Sequence, residues 1–224
     1  MAELSRRYNI LKPRSMIRVS CASFADIRIG DNRVLTINKN RAKRGQRVLT
    51  PVGGAIELTL AGQQNLMSLL GLRLSDFEKG LDMRFNMSED FMDLLRLWFL
   101  SRIGRELTPQ RETFEELTVE TTILRPDNLH GVRFSKLGYQ GELGITTRIG
   151  QEGQRTLRLV EIAATELPFT AKNLIELEAN RLTSDVKLVS DDEIIRGISH
   201  QDIPIGSVAK LLLNPQPTIP TFYR

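Results

Sequence analysis

The sequence predicts a single α+β domain, and three observations carry that reading. Segments rich in β-branched residues, with partial apolar alternation, occur near the start of the chain and again beyond residue 121. Segments with apolar residues at helical spacing lie between and after them. The composition is that of an ordinary globular protein, with 41% hydrophobic and 26% charged residues in 224. A domain of that size buries roughly 70% of the surface its unfolded chain exposes, so it needs no disulfide or structural metal to fold.

Residues 1–14, with Arg6, Arg7, Lys12 and Arg14, read as a basic, weakly ordered arm. Residues 16–29 read as a strand, Gly30-Asp31-Asn32 as a turn and 33–38 as the returning strand. Residues 39–47 carry five basic side chains (Lys39, Arg41, Lys43, Arg44, Arg47) and read as an exposed loop. It is either a solvated hairpin tip or a phosphate or nucleic-acid contact. In residues 48–57, Gly53-Gly54 between apolar neighbours marks a bulge or a close backbone approach. A helix is expected over 61–72, ending near Gly71, and a short strand over 81–86. Ser88 opens a helix with Glu89 and Asp90 in its first turn, where they suit the helix dipole. Its residues Phe91, Leu94, Leu95, Trp98 and Phe99 form a core-facing stripe.

Thr108-Pro109 supplies an N-cap and a first-position proline for a helix over 110–117. Strands follow at 129–137, 142–149 and 156–164, separated by turn signals at Gly138, Gly141 and Gly150 to Gly153. A helix capped by Thr170 spans 170–181. A short strand spans 186–189, Ser190 opens an acidic helix, and 205–213 reads as a last helix. The tail at 215–224, with Pro215, Pro217 and Pro220, is expected to be extended and mobile.

Composition also narrows the chemistry. One cysteine, Cys21, makes no internal disulfide and no thiolate zinc cage. His130 and His200 stand 70 positions apart and offer no spaced ligand pair. Catalysis must draw on carboxylates and arginines. A net charge of +4 fits a phosphate-bearing small ligand. No apolar stretch is long enough to span a membrane, and no apolar core follows the N-terminal basic residues, so a cytoplasmic location is the default.

The informative segment is Arg111-Glu112-Thr113-Phe114-Glu115-Glu116. At about 100° per residue, Glu112, Glu115 and Glu116 fall within one arc of a helix face. Like charges so placed repel. The arc is either a solvated acidic face paired with Arg105 and Arg111 or a site compensated by a divalent cation, since Mg²⁺ takes hard oxygen ligands.

Arg111-Glu112-x-x-Glu115-Glu116, downstream of Gly53-Gly54-Ala55-Ile56-Glu57, resembles the Nudix box. In that pattern a glycine, five residues, a glutamate and seven residues precede Arg-Glu-apolar-x-Glu-Glu-x-Gly. Here Gly54 and Arg111 are 57 positions apart, a surplus of 43 residues. The loop glutamate would fall on Ile103 and the late glycine on Thr118. The order of the 16–29 strand, Pro51-Val52-Gly53-Gly54-Ala55, the insert with Asp82-Met83-Arg84-Phe85, the helix ending in Trp98-Phe99 and Gly104-Arg105-Glu106-x-x-Pro109-x-Arg111-Glu112 resembles the SMODS-associated Nudix family. Residues 156–162 and 204–213 are similar to it as well.

The resemblance implies an α/β/α Nudix sandwich with a mixed sheet over residues 15–214 and a helical insertion at about 58–104. It implies a Mg²⁺-dependent (or Mn²⁺-dependent) hydrolase of a nucleoside diphosphate derivative in bacterial anti-phage signalling. The alternative is a non-catalytic nucleotide sensor that signals to a partner. Glu112, Glu115 and Glu116 would hold the metal, and one of them would serve as or orient the base. Arg111 would orient Glu112, and Gly53 and Gly54 would let backbone approach the diphosphate. Glu161 or Glu166 would add a further carboxylate, and Glu57 or Glu106 would replace the missing loop glutamate. Arg41, Arg44 and Arg47 would contact phosphate, and Phe134 or Tyr139 would stack on a base. A defence-system protein partner and a homodimer stay open.

Overall fold

The computed structural model describes residues 15–146 and 153–219. The expected basic arm at 1–14, part of the turn after 146 and the end of the tail at 220–224 lie outside those residues.

Seven strands, β1 (Met16–Ile29), β2 (Asn32–Ile37), β3 (Leu49–Ala55), β4 (Arg84–Ser88), β5 (Arg133–Ile145), β6 (Arg155–Glu166) and β7 (Val186–Val189), form one mixed sheet. Its order is β5-β6-β1-β3-β2-β7, with β4 beside the first half of β1. β1 is the axis. It runs parallel to β6 from Arg18 to Ile27. Its other edge pairs with β4 through Met16–Ser20 and with β3 through Ala22–Ala25. Both of its faces are covered, which is why its apolar alternation is only partial.

The helices are α1 (Lys39–Ala42), α2 (Leu60–Leu70), α3 (Met92–Ser101), α4 (Gln110–Phe114), α5 (Phe169–Ala179) and α6 (Asp191–Arg196). Side chains alternate across a strand, so the odd residues of β1 share a face. Ile17, Val19 and Cys21 pack with Leu66, Trp98 and Phe99 of α2 and α3. Ala25 and Ile27 pack with Leu117, just beyond α4, and with Ile175 of α5. Ala22 and Phe24 face the other way, toward Ile194, Ile205 and Leu212. The insert and α4 therefore share one face of the sheet and meet near Ser23. Gly54 and Glu161 flank Ser23 there on the two neighbouring strands. This is the expected α+β class with a mixed sheet.

Several local expectations give way. β5 is one strand, not two, because a bulge between Lys136 and Gly138 absorbs the glycine and Gly141 pairs normally with Leu159. Thr108 does not cap α4; Pro109 occupies the N-cap position without a side-chain bond. Likewise Pro168, not Thr170, precedes α5. The last helix is a 3₁₀ segment over Ser207–Leu212. The basic loop begins with α1, nucleated by Asn38, whose side chain accepts from the Arg41 amide. Residues 215–219 are not a free tail: Gln216 and Tyr139 exchange backbone hydrogen bonds, and Ile219 is buried against the insert cluster.

Candidate active site at the carboxylate helix

α4 does not continue as an α-helix. From Glu115 to Glu120 it is a π-helix. The Thr118 hydroxyl donates to the Phe114 carbonyl, and the Thr121 hydroxyl to the Glu116 and Leu117 carbonyls. These back-bonds compete with the helical ladder and favour the wider turn. At the helical spacing Glu115 and Glu116 fall on opposite sides of Glu112. Glu115 stays outward with its side chain 52% exposed. Glu112 and Glu116 turn toward β3.

Gly53 and Gly54 explain why those two fit. Gly53 has φ +133, and a Cβ there would lie 2.2 Å from the Ser23 carbonyl oxygen. A Cβ on Gly54 would lie 2.5 Å from the Glu112 carboxyl carbon. The Gly53 amide donates to Glu116 Oε1 at 3.3 Å, and the Thr36 hydroxyl donates to Oε2 at 3.0 Å. Burial pushes the Glu116 carboxyl up to about 8 against these two bonds, and Glu120 and Glu112 add repulsion. Burial also raises Glu112, opposed by Arg111 and reinforced by Glu115 and Glu106.

Arg111 is the hub. Its guanidinium lies 2.8 Å from Glu112 and 2.8 Å from Glu106, and donates to the Ala55 carbonyl at 3.1 Å. Glu57 lies 3.3 Å away and Glu115 3.8 Å. The hydrogen bond to Glu106 is the foremost cause that raises the arginine above its ordinary range. Glu106 also accepts from the Glu57 amide at 2.9 Å. Ile103, at the position where the box pattern has glutamate, is 71% exposed. The two acids offered in its stead, Glu106 and Glu57, both lie beside Arg111.

Glu161 has a different role from a free ligand. It is 1% exposed and lies 2.7 Å from Arg105 and 2.8 Å from Arg102. Arg105 donates to the Glu106 carbonyl at 2.8 Å and Arg102 to the Leu107 carbonyl at 2.6 Å. The clamp therefore holds the very segment that presents Glu106 to Arg111. Glu166 is exposed on β6, opposite Arg133, and stands five residues from the Glu161 level. At about 3.3 Å per residue that is roughly 16 Å. Arg44 is exposed, and Arg47 donates to the Ser184 carbonyl, both beyond the far end of β3 from Gly54. Arg41 lies there as well, in α1. Tyr139 is buried edge-on to Phe99 and offers no face for stacking. Phe134 is half-buried near the start of β5.

Two neighbours of Glu116 escape the sequence reading. Glu120 completes an i,i+4 row with Glu112 and Glu116 that is visible in the sequence. Thr36 lies in β2, about 80 residues away, and nothing local marks it.

Among the described residues, no three His, Cys, Asp or Glu side chains converge at metal-binding distance. The donor set still fits Mg²⁺. That ion commonly takes one or two carboxylates and completes its shell with water and substrate phosphate. Glu112 and Glu116 are two such carboxylates, both raised by burial and by neighbouring acids, a state that a bound dication relieves.

The SMODS-associated NUDIX domain model matches residues 16–213. The chain belongs to that family. Comparison with curated proteins and with solved structures gives no match. Membership carries a Nudix-type role in SMODS-associated signalling and a nucleotide-type ligand for this NUDIX domain. Among the described residues, no helix is long and apolar enough to cross a membrane.

Proposed function

We propose that this NUDIX domain hydrolyses a nucleoside diphosphate derivative with Mg²⁺ or Mn²⁺, in bacterial anti-phage nucleotide signalling. One observation carries the reading: Glu112 and Glu116 close on the side-chain-free Gly53-Gly54 backbone. The missing Cβ atoms are what let the two carboxylates seat against β3, side by side with space for a cation to draw in diphosphate oxygens. When bound, the dication would neutralise charge on the diphosphate and lower the pKa of an attacking water.

The chain's own residues do the rest. Glu112 and Glu116 would hold the cation, with Glu115 available at its solvent side. Glu106 and Glu57 hold the Arg111 guanidinium against Glu112 and fix that carboxylate's direction. A carboxylate of this set would take the proton as water attacks one phosphorus. The bridging P–O bond then breaks, and the leaving phosphate departs with the electron pair.

A second reading has its own support. The carboxylates do not converge as three among the described residues, and the insert covers the neighbouring sheet face. Both features suit a domain that binds a nucleotide and signals to a protein partner without turnover.

Release of phosphate or nucleotide from nucleoside triphosphates, dinucleotides, ADP-ribose, NAD and cyclic oligonucleotides separates the two. Metal-dependent turnover that disappears in Glu112→Gln/Glu116→Gln supports the hydrolase. Thermal stabilisation by one nucleotide without turnover supports the sensor. No turnover and no stabilisation by anything in the panel overturns both.

A further inference from the structure

The opposite flank of α4 is unexplained by the acidic face. Two clefts open there side by side, of about 470 Å³ and 560 Å³. Gln110 and Phe114 line both, so the half-buried Phe114 ring stands between them. Arg111 and Leu107 belong to the first cleft; Asp127, His130 and Val132 belong to the second. Each volume lies in the range of small-molecule sites, roughly 300–1,000 Å³. The side chains of Gln110, Asp127 and His130 are exposed and engage no partner among the described residues.

We propose that this flank is the nucleoside subsite: a base stacks on Phe114, and Gln110, Asp127 and His130 read its edge. The inference rests on the nucleoside-diphosphate reading above. Its chemistry follows from three features. Phe114 offers an aromatic surface with open space beside it, and aromatic stacking accepts any base. The three polar tips supply an amide that donates and accepts, a carboxylate that accepts and an imidazole that does either, which is what discrimination between bases requires. Arg111 joins the two regions, because it lines the first cleft and lies 2.8 Å from Glu112. A nucleoside in the clefts therefore has its phosphates directed past one guanidinium onto the carboxylates. The subsite is built by residues 106–108, by α4 and by the Pro126–Leu129 turn with the residues after it, none of which belongs to the insert.

Calorimetric titration of the whole chain in Mg²⁺, with ADP, GDP, CDP, UDP and inorganic pyrophosphate, tests the assignment. Pyrophosphate is the probe without a base. The expected result is that at least one nucleoside diphosphate binds more tightly than pyrophosphate. Phe114→Leu, which keeps apolar bulk, should cut that advantage roughly 5- to 150-fold, the span of base–aromatic stacking. Pyrophosphate affinity should not change. His130→Ala and Gln110→Ala, at exposed positions that leave the fold intact, should alter the ranking of the bases. Equal affinity for pyrophosphate and all four nucleotides overturns the subsite and leaves the diphosphate reading standing. So does a Phe114→Leu variant that retains the full nucleotide advantage, or one that weakens pyrophosphate equally. Binding of none of the five probes overturns both.

Discussion

Glu161 and Glu116 are both carboxylates that a sequence reader would offer to a metal, and both turn inward near the centre of the sheet. Their surroundings are opposite. Glu161 faces two guanidinium groups within 2.8 Å, and those arginines also donate to the backbone carbonyls of Phe99, Glu106 and Leu107. Glu116 has a hydroxyl and one amide, with Glu112 and Glu120 adding like charge. A compensated buried acid holds structure together. An uncompensated one retains an appetite for a cation. The distinction is one of charge balance, since Glu116, half-buried, lacks the cationic partners that the fully buried Glu161 has.

The largest expected effect tests the compensated side. Glu161→Gln strands Arg105, whose side chain is fully buried, so unfolding stability should fall by about 3–5 kcal/mol in urea or thermal melts, with or without metal. A loss under about 1 kcal/mol would dissolve the contrast.

Next is the uncompensated side. Glu112→Gln and Glu116→Gln should each weaken Mn²⁺ binding, measured by paramagnetic resonance, by at least about ten-fold, or about 1.4 kcal/mol. Glu161→Gln, compared at a temperature where it is folded, should weaken it less than either. The reverse order would move the metal site to Glu161.

The third prediction concerns pH. The Glu116 carboxyl is held at about 8 in the fold against an ordinary 4.5, so the folded chain keeps a proton that the unfolded chain has lost. Stability contributed by this group therefore falls as pH rises from about 4.5 to about 8 and stays low above that. Glu116→Gln removes the dependence. It should be neutral below pH 4.5 and stabilising above pH 8. Melts at pH 4 and pH 9 that show the same difference would refute the assignment. Smallest of all, Glu166→Gln at the exposed end of β6 should change stability by under about 0.5 kcal/mol and leave Mn²⁺ affinity unaltered.

Much of the fold was legible because it rests on local pattern. The β-branched run at 16–29 is a strand, the glycine pair at 53–54 is a close approach, and the Trp98-Phe99 stripe faces the core. Failures came where a distant partner decided. Gly138 reads as a turn until Gln216 is seen to pair across the bulge beside it. The prolines at 215 and 217 read as a mobile tail until Ile219 is seen buried in the insert cluster. Thr118 reads as a defect in the box, yet its hydroxyl bonds back to the Phe114 carbonyl where the α-helix gives way to the π turn.

The sequence by itself determined most of the elements, the α+β class and the family, together with Arg111 and the three glutamates that follow it. Those depend on periodicity and on motifs whose residues lie close along the chain. Only the tertiary structure decided which acids are free. Glu161 and Arg105 are 56 residues apart, Glu116 and Gly53 63, and Arg111 and Ala55 56. Charge balance at a buried carboxylate is a property of the groups that folding brings to it, and no local pattern records who those neighbours will be.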